Sequence, residues 1–332
     1  MMEYAIFKEV VKEQILEHLP EEFKGSTVDV HEVSKVNQVL DGLTVLKPSR
    51  NSAPTVYINH LYEDYVSGKS IQECLVHCAD MITDAYKELE ELMPRVDESE
   101  MKENVIMTLV NKEQNKEMLE KIPHRDFQDL VVVYRWVVDI SKEGIASTIV
   151  NNHLMERAGM TEQDLFQLAV ENTKRLLPPR LDSMLDVLME DVPKELVDMT
   201  LAELDMESLK ESPELAMYVL SNSVRVNGAV SMLYEDNLHK LAQKLGSDLY
   251  ILPSSVHESI LVSTKMGDPH SLAQMVQDIN MSQVNLSDRL SNNVYHYDKD
   301  LRKVTLATNS PNKRLDGKIA EPPMVYETKK SR

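Results

Sequence analysis

Two serines, a histidine and a carboxylate fall within five consecutive positions, in the run Ser254-Ser255-Val256-His257-Glu258. A hydrolase needs a nucleophile, a base within hydrogen-bond reach and an acidic group that orients the base. In an extended chain side chains alternate between two faces, so Ser255 and His257 would share a face and Glu258 would point away. One hypothesis is therefore a hydrolase-like enzyme centred on Ser255 and His257, assisted by Glu258 or by the more distant Asp298.

No complete catalytic motif supports that hypothesis. The sequence lacks a Gly-x-Ser-x-Gly nucleophile elbow, and the zinc-helix motif would need a histidine at position 261, where Leu261 stands. It also lacks glycine-rich phosphate loops and an Asp-rich calcium loop. The serines and the histidine could equally satisfy exposed backbone groups at the end of a strand. We therefore predict no catalytic residue and no cofactor, and instead a ligand or partner site that includes Ser254, Ser255, His257 and Glu258.

Two further histidines are candidates for the same kind of site. His124 lies in the run Pro-His-Arg-Asp-Phe at 123–127, which could grip a phosphate but is more typical of a loop whose charged residues cap neighbouring elements. His296 alternates with two tyrosines in Tyr295-His296-Tyr297-Asp298. Alternation predicts a half-buried strand with the tyrosines on one face and His296 and Asp298 on the other.

The charge of the chain limits its partners. The formal net charge is −19, and because residues 309–332 carry six basic and three acidic side chains, the part before them carries −22. A surface this acidic repels phosphate backbones, so direct binding of nucleic acid is disfavoured. We expect an unidentified protein partner with a basic surface. A further alternative is an acidic mimic of nucleic acid that occupies a DNA-processing enzyme.

Cysteine usage and hydropathy indicate the compartment. Cys74 and Cys78 lie four apart on one predicted helix, with His77 between them, but a structural zinc site takes four ligands and no second pair is visible. No apolar run approaches the roughly 20 residues that span a bilayer. The first residues enter an amphipathic pattern without a basic segment followed by an apolar block. We predict a cytoplasmic chain with no metal site and no membrane contact.

Periodicity predicts an intermixed series of helices and strands. Helices are predicted over 4–19, 61–66, 71–93, 114–120, 161–176, 236–245 and 271–279, with Ser70 and Thr161 as N-caps. Strands are predicted over 26–33, 39–46 (turned around Asp41-Gly42), 55–58, 105–110, 130–138, 216–220, 229–233, 248–252, 255–263, 294–297 and 304–307. The stretch 184–214, with ten acidic and two basic residues, predicts one or two short exposed helices.

These elements lack the regular strand–helix alternation of a doubly wound sheet, which favours the α+β class. We predict mixed or antiparallel sheets with flanking helices in two packed subdomains. The expected organisation is an N-terminal subdomain over 1–100, a second α+β region over 101–308 and a flexible basic tail over 309–332.

Several separated blocks of sequence resemble a family of bacterial proteins catalogued as domain of unknown function 5688. The blocks are 217–222, Gly228-Ala229, 250–258, 275–280, Leu290-Ser291 and 294–298, preceded by Lys35, Asn37, Gly42-Leu43, Asn51, Pro54, Tyr57 and Asn59. The resemblance extends to about Ala307. It implies a cytosolic protein without an assigned activity, cofactor or catalytic residue. Many members accompany mobile genetic elements, which implies regulation or immunity more than metabolism.

Our leading hypothesis is thus a cytosolic, non-enzymatic binding or regulatory protein. The hydrolase-like enzyme and the acidic mimic of nucleic acid remain as alternatives.

Overall fold

The computed structural model describes residues 2–50, 52–92, 101–141, 144–190, 216–253, 255–309 and residue 315. The chain divides into two compact units, Met1–Lys102 and Glu103–Arg332. Within the described residues every pair of strands is antiparallel, and helices accompany the sheets in both units. The α+β class that the sequence predicts is confirmed.

The first unit is a three-stranded sheet with helices packed against it. Strands β1 (Thr27–Lys35), β2 (Gln38–Leu46) and β3 (Thr55–Tyr57) lie in that order. Helices α1 (Tyr4–His18), α2 (Asn59–Val66) and α3 (Ile71–Leu92) contribute to one hydrophobic core with this sheet. The fully buried members of that core include Phe7, Ile15, Leu43, Ile58, Leu61, Leu75 and Cys78.

The hairpin in this sheet differs from the predicted one. Asp41 and Gly42 lie inside β2, paired with Glu32 and His31, and the chain reverses at Asn37, whose φ of 63° is the left-handed conformation that asparagine tolerates. Gly42 serves close packing instead of a turn. A Cβ atom there would lie 2.6 Å from a methyl of Thr55 on the neighbouring strand.

Local capping signals locate the helices well. Ser70 Oγ accepts the Glu73 N–H at 3.2 Å, and Glu73 Oε2 accepts the Ser70 N–H at 2.7 Å, so the predicted N-cap of α3 is confirmed as a capping box. In α1 one face is turned to the core and the other to solvent. Phe7, Val11 and Ile15 are buried there, whereas Ile6 is 53% exposed.

Asp41 is the polar centre of the first unit. Its carboxylate accepts hydrogen bonds from Tyr4 Oη at 2.7 Å and from Lys8 Nζ at 2.9 Å, and its side chain is only 12% exposed. Burial works to raise the pKa of Asp41, but these two hydrogen bonds outweigh it and hold the pKa below its usual value. The carboxylate therefore ties helix α1 to strand β2.

The second unit contains two sheets. The first has β4 (Val105–Asn111), β6 (Leu130–Ser141) and β5 (His124–Phe127) in that order, with β7 (Gly144–Ile149) also paired to β6. The second has the order β13-β12-β10-β11-β9-β8. Its strands are β8 (Pro179–Ser183), β9 (Tyr218–Asn222), β10 (Leu249–Leu252), β11 (Ser259–Ser263), β12 (Tyr295–Asp298) and β13 (Lys303–Leu306).

The helices that follow are α4 (Met101–Asn104), α5 (Lys116–Leu119), α6 (Asn152–Arg157), α7 (Glu162–Leu176), α8 (Met184–Met189), α9 (Glu235–Leu245) and α10 (Pro269–Gln283). The predicted N-cap Thr161 is confirmed and forms a capping box with Asp164 at the start of α7. Thr173 of the same helix accepts the backbone N–H of Met107 in β4 at 3.0 Å. Helix α10 packs through Leu272, Ala273 and Val276 against the six-stranded sheet.

Three local predictions in this unit are wrong. Residues 229–233 belong to a 3₁₀ helix, Gly228–Leu233, and not to a strand. The strand predicted over 255–263 begins at Ser259, because residues 256 and 257 form a bend. The run 123–127, predicted as a loop, contains β5, which pairs with β6.

Two other predictions fall largely outside the described residues. Helix α8 occupies the start of the acidic stretch 184–214, but residues 191–215 are not described. Of the tail, only residues up to 309 and Leu315 are described, and Leu315 is buried, with its carbonyl oxygen accepting a hydrogen bond from Arg289 at 2.6 Å. Among the described residues, none of the helices combines the length and apolar content that crossing a membrane requires.

We predict that Asp41→Asn lowers the free energy of unfolding of the first unit by about 1.5–3 kcal/mol at neutral pH, the usual contribution of a hydrogen bond to a charged group. Because the pKa of Asp41 is lower in the folded than in the unfolded state, its contribution is complete above about pH 4. It is lost as the pH falls further, through the folded-state pKa. Denaturant unfolding of both proteins between neutral and acidic pH measures the difference.

The matched control is Asp29→Asn, an exposed carboxylate on β1 of the same sheet. We expect it to change the free energy of unfolding by less than about 0.5 kcal/mol. An Asp41→Asn effect that grows toward acidic pH would contradict the assignment.

Candidate functional site

The loop between β10 and β11, residues 253–258, is held by two other segments of the second unit; we call it the His257 loop. The backbone N–H of Ala229 donates to the carbonyl of Val256 at 3.1 Å, and the N–H of Val256 donates to the carbonyl of Asp288 at 2.7 Å. Ser255 forms an isolated β-bridge with Arg289. Ser254 lies outside the described residues.

The imidazole of His257 accepts one hydrogen bond and lies near one carboxylate. Nδ1 accepts the backbone N–H of Asn227 at 3.3 Å, and since a backbone N–H only donates, the neutral ring carries its proton on Nε2. Nε2 lies 3.8 Å from Asp288 Oδ1. The His257 side chain is 37% exposed, so one edge of the ring meets solvent. The ring is therefore bound to the Asn227 turn and lies beside Asp288.

The structure does not bring the predicted nucleophile to the predicted base. Ser255 Oγ accepts the backbone N–H of His257 at 3.1 Å, and within the described residues no hydrogen bond joins this oxygen to an imidazole. The extended geometry expected for this run is absent because the chain bends at His257. Glu258 is half-buried at the end of the loop.

Asp298 closes the turn between β12 and β13. Its Oδ1 accepts the backbone N–H groups of Leu301 at 2.8 Å and Asp300 at 2.9 Å, between β12 and β13. These donors hold the pKa of Asp298 below its usual value. The carboxylate beside His257 is Asp288, which was not predicted from the sequence. Its only signal was an acidic residue just before the Leu290-Ser291 block, with nothing to pair it with position 257.

Gly228 allows the His257 loop to pack closely. A Cβ atom at this position would lie 2.2 Å from Ser221 Oγ, 2.6 Å from the carbonyl oxygen of His257 and 2.8 Å from the Asn222 nitrogen. Ser221 Oγ itself donates to the His257 carbonyl at 2.7 Å. Any side chain at position 228 would displace backbone atoms, so the site requires glycine.

The other two candidate histidines have partners of their own. His296 Nε2 lies 3.2 Å from Asp248 Oδ2, on the outer face of β12, while Tyr295 and Tyr297 are fully buried on the opposite face. The predicted alternation of this strand is confirmed. His124 Nδ1 donates to the carbonyl of Ile122 at 2.9 Å, within its own chain segment. The structure assigns no shared contact to His124, His257 and His296.

Asp129 joins the two sheets of the second unit. Its carboxylate accepts hydrogen bonds from Ser291 Oγ at 2.7 Å, from Asn293 Nδ2 at 2.9 Å and from the Tyr295 hydroxyl. Burial, together with the negative charge of Asp129, raises the pKa of Tyr295 well above its usual value. The ring of Phe127 stacks on Tyr295, with 6.4 Å between the ring centroids. This cluster connects the β5–β6 turn to the segment that leads into β12.

The cysteine–histidine spacing does not produce a common site. Cys74 and Cys78 are buried in the core of the first unit, whereas His77 is more than half exposed and lies 3.7 Å from Asp64. Burial raises the pKa of the Cys78 thiol to about 12. Within the described ranges no three His, Cys, Asp or Glu residues are grouped so that they could hold a metal ion.

Comparisons with known proteins identify a family but no individual relative. A family model described as "Family of unknown function (DUF5688)" matches residues 4–299, which confirms the resemblance. Neither a search of curated proteins nor a search of solved structures finds a match. Three of the blocks that carry the resemblance meet at the His257 loop, through Ser221, Gly228 and His257 itself.

We predict that Gly228→Ala lowers the free energy of unfolding of the second unit by about 1–3 kcal/mol, the usual cost of overpacking. The added methyl group meets backbone atoms of His257 and Asn222, which cannot rotate away. Thermal or denaturant unfolding measures the loss. The control is Gly267→Ala, where a Cβ atom would meet nothing within 4 Å, and wild-type stability in both variants would contradict the packing argument.

We predict that Asp129→Asn lowers the free energy of unfolding by about 1.5–3 kcal/mol. The side-chain NH₂ group of asparagine cannot accept the hydrogen bonds that the carboxylate accepts from its neighbours. Asp126→Asn is the matched control: Asp126 lies three positions earlier and makes an exposed ion pair with Lys112. Such pairs contribute about 0.2–1 kcal/mol. Equal losses in the two variants, measured by denaturant unfolding, would show that the Asp129 cluster is not a special link.

Proposed function

The chain belongs to the family of unknown function DUF5688, and from its structure we propose that it is a non-enzymatic binding or regulatory protein. The observation that supports this proposal is that the side chains suited to catalysis accept hydrogen bonds from the backbone. Ser255, His257 and Asp298 each hold a backbone N–H group of the fold.

A catalytic base needs a free lone pair directed at the group that it deprotonates. In His257 the lone pair of Nδ1 faces Asn227, and the Nε2–H faces Asp288. Ser255 Oγ receives a backbone N–H in place of a bond to a base. Using these residues for acyl transfer would require the loop to give up the contacts that position it.

The charge of the chain suggests the class of partner. With a net charge of −19, the protein attracts basic surfaces and repels polyanions at low salt. The proposed partner is therefore a protein with a basic surface. Mimicry of nucleic acid is a special case, in which that surface is the nucleic-acid site of a DNA-processing enzyme. A role in regulating a mobile genetic element is the setting that the family resemblance suggests.

One observation favours the hydrolase-like alternative. His257 is partly exposed and has a carboxylate, Asp288, within 4 Å, which is the pairing that orients a catalytic histidine. Catalysis through this pair would need Asn227 to release Nδ1, so that the free lone pair could reach a nucleophile or a water. The experiment below separates this alternative from the proposal.

We predict that His257→Asn leaves the free energy of unfolding unchanged, because the asparagine oxygen can accept the Asn227 N–H. Asparagine cannot act as a base near neutral pH, so this variant removes any catalytic base at position 257. His257→Ala removes the acceptor, and we expect it to lower the free energy of unfolding by about 1 kcal/mol. The full-length wild type and both variants are assayed for hydrolysis of chromogenic carboxylic and phosphate esters. We expect no turnover above buffer from any of them. Turnover by the wild type that both variants lose, with folding intact, would establish the hydrolase.

Binding to a basic partner is tested with two purified peptides of opposite charge. We expect a lysine-rich oligopeptide to bind the full chain saturably at low salt, more tightly than it binds an unrelated protein of similar net charge. The binding should disappear near 1 M salt, where the Debye length is about 3 Å. A glutamate-rich peptide of equal length is the control. Equal binding of the two peptides, or of the two proteins, would contradict a basic partner.

A further inference from the structure

A cavity of about 270 Å³ opens in the second unit between β8, β9 and α9, apart from the residues of the His257 loop. Tyr218 and Leu241, both buried, contribute an aromatic and an apolar wall. Lys240 and Lys244 of α9 line it from one side. Asp182, Ser183 and Asp186 line it as well. The cavity thus combines an apolar wall with charged groups of both signs.

The carboxylates of this cavity already have partners. Asp182 lies 2.6 Å from Arg180 Nε and 3.9 Å from Arg225, and Asp186 accepts the Ser183 hydroxyl at 2.7 Å. The same two arginines each lie 2.6 Å from Glu190. These contacts hold the acidic groups in ion pairs and a helix cap.

The two lysines are placed differently. They stand four residues apart on one helix, where two like charges repel each other. Lys244 Nζ lies 5.1 Å from the centroid of the Tyr218 ring, a cation–π distance. No carboxylate that the structure describes lies within 4 Å of either ammonium group. An anion between them would relieve the repulsion and gain two charged hydrogen-bond donors.

The charge at the cavity differs from the strongly negative average of the chain. The lining carries two lysines and two aspartates, and Arg180 and Arg225, outside the lining, pair with Asp182 and Glu190. The whole chain carries −19. An anionic ligand that the rest of the surface repels would therefore find its favourable position here.

We propose that this cavity binds a small organic anion, with its carboxylate or phosphate group between Lys240 and Lys244 and its apolar or aromatic part against Tyr218 and Leu241. The volume limits the size of the ligand, because sites for drug-sized molecules usually measure about 300–1,000 Å³. A single ring bearing one anionic group has suitable dimensions. This site does not depend on the function proposed for the protein as a whole.

The test is calorimetric titration of the full-length protein with phenyl phosphate, benzoate and benzylammonium. We expect phenyl phosphate, benzoate or both to bind, and the tighter of the two identifies the anionic group. Benzylammonium, which has the same ring and the opposite charge, should bind at least about tenfold more weakly, the ratio that corresponds to 1.4 kcal/mol. Inorganic phosphate should also bind more weakly than phenyl phosphate, because it lacks the apolar part.

Variants assign the binding to the cavity. Lys240→Gln/Lys244→Gln should weaken binding of the anionic probes by about tenfold or more, since hydrogen bonds to charged groups contribute about 1.5–3 kcal/mol. The matched control is Lys303→Gln, an exposed lysine on β13 that does not line the cavity. All three substituted lysines are exposed, so circular dichroism should show unchanged folding. Unchanged affinity in the double variant, equal binding of benzylammonium, or no anion binding at millimolar concentration would overturn the proposal.

Discussion

The close approach of Gly228 to the carbonyl group of His257 is the contact on which the candidate site depends. Because no side chain separates the two segments, Ser221 Oγ can reach the His257 carbonyl and Asn227 can present its N–H to the imidazole. Three parts of the chain that are distant in sequence are thereby fixed in one geometry. A methyl group at this position would lengthen all of these contacts together, which is why the residue type is so constrained.

A second set of polar contacts shapes the same unit. Asp129 is a half-buried carboxylate, and three side chains of the Ser291–Tyr295 region donate hydrogen bonds to it. Burial of a charge is unfavourable unless hydrogen bonds compensate for it. The hydrogen bonds here also have a topological consequence, since they connect strands that belong to different sheets. Polar residues of the family blocks, such as Ser291 and Tyr295, thus stabilise the fold, although their types are also those found in catalytic sites.

How far the sequence predicts the structure depends on the range of the interactions involved. The N-caps Ser70 and Thr161 act over three residues, and both were predicted correctly, whereas the strands β7 and β8 on either side of α7 were not predicted. Gly42 was taken for a turn because glycine usually marks one. Its actual role depends on Thr55 in a neighbouring strand, which local reasoning does not see. The strand predicted over 229–233 failed for a similar reason, since Gly228 begins a 3₁₀ helix that packs on the His257 loop.

The site itself was predictable in composition and not in geometry. His257 and Ser255 were identified from residue type alone, but their partners are Asn227, about thirty positions earlier, and a backbone N–H. Asp298 was proposed to orient the histidine, yet its carboxylate accepts the backbone N–H groups of Asp300 and Leu301, two and three positions later. A nearby backbone donor competes successfully with a distant side chain, because it costs little loop-closure entropy.

The basic side chains are distributed unevenly, which the net charge alone does not show. A net charge of −19 describes the average surface, while Arg180, Arg225, Lys240 and Lys244 gather around one part of the second unit. Like charges on a small surface oppose folding unless opposite charges or a ligand compensate for them. For the two arginines the compensation is visible in Asp182 and Glu190. For the two lysines the described residues supply the ring face of Tyr218, beside Lys244, and an open cavity, where the proposed anion would add its charge.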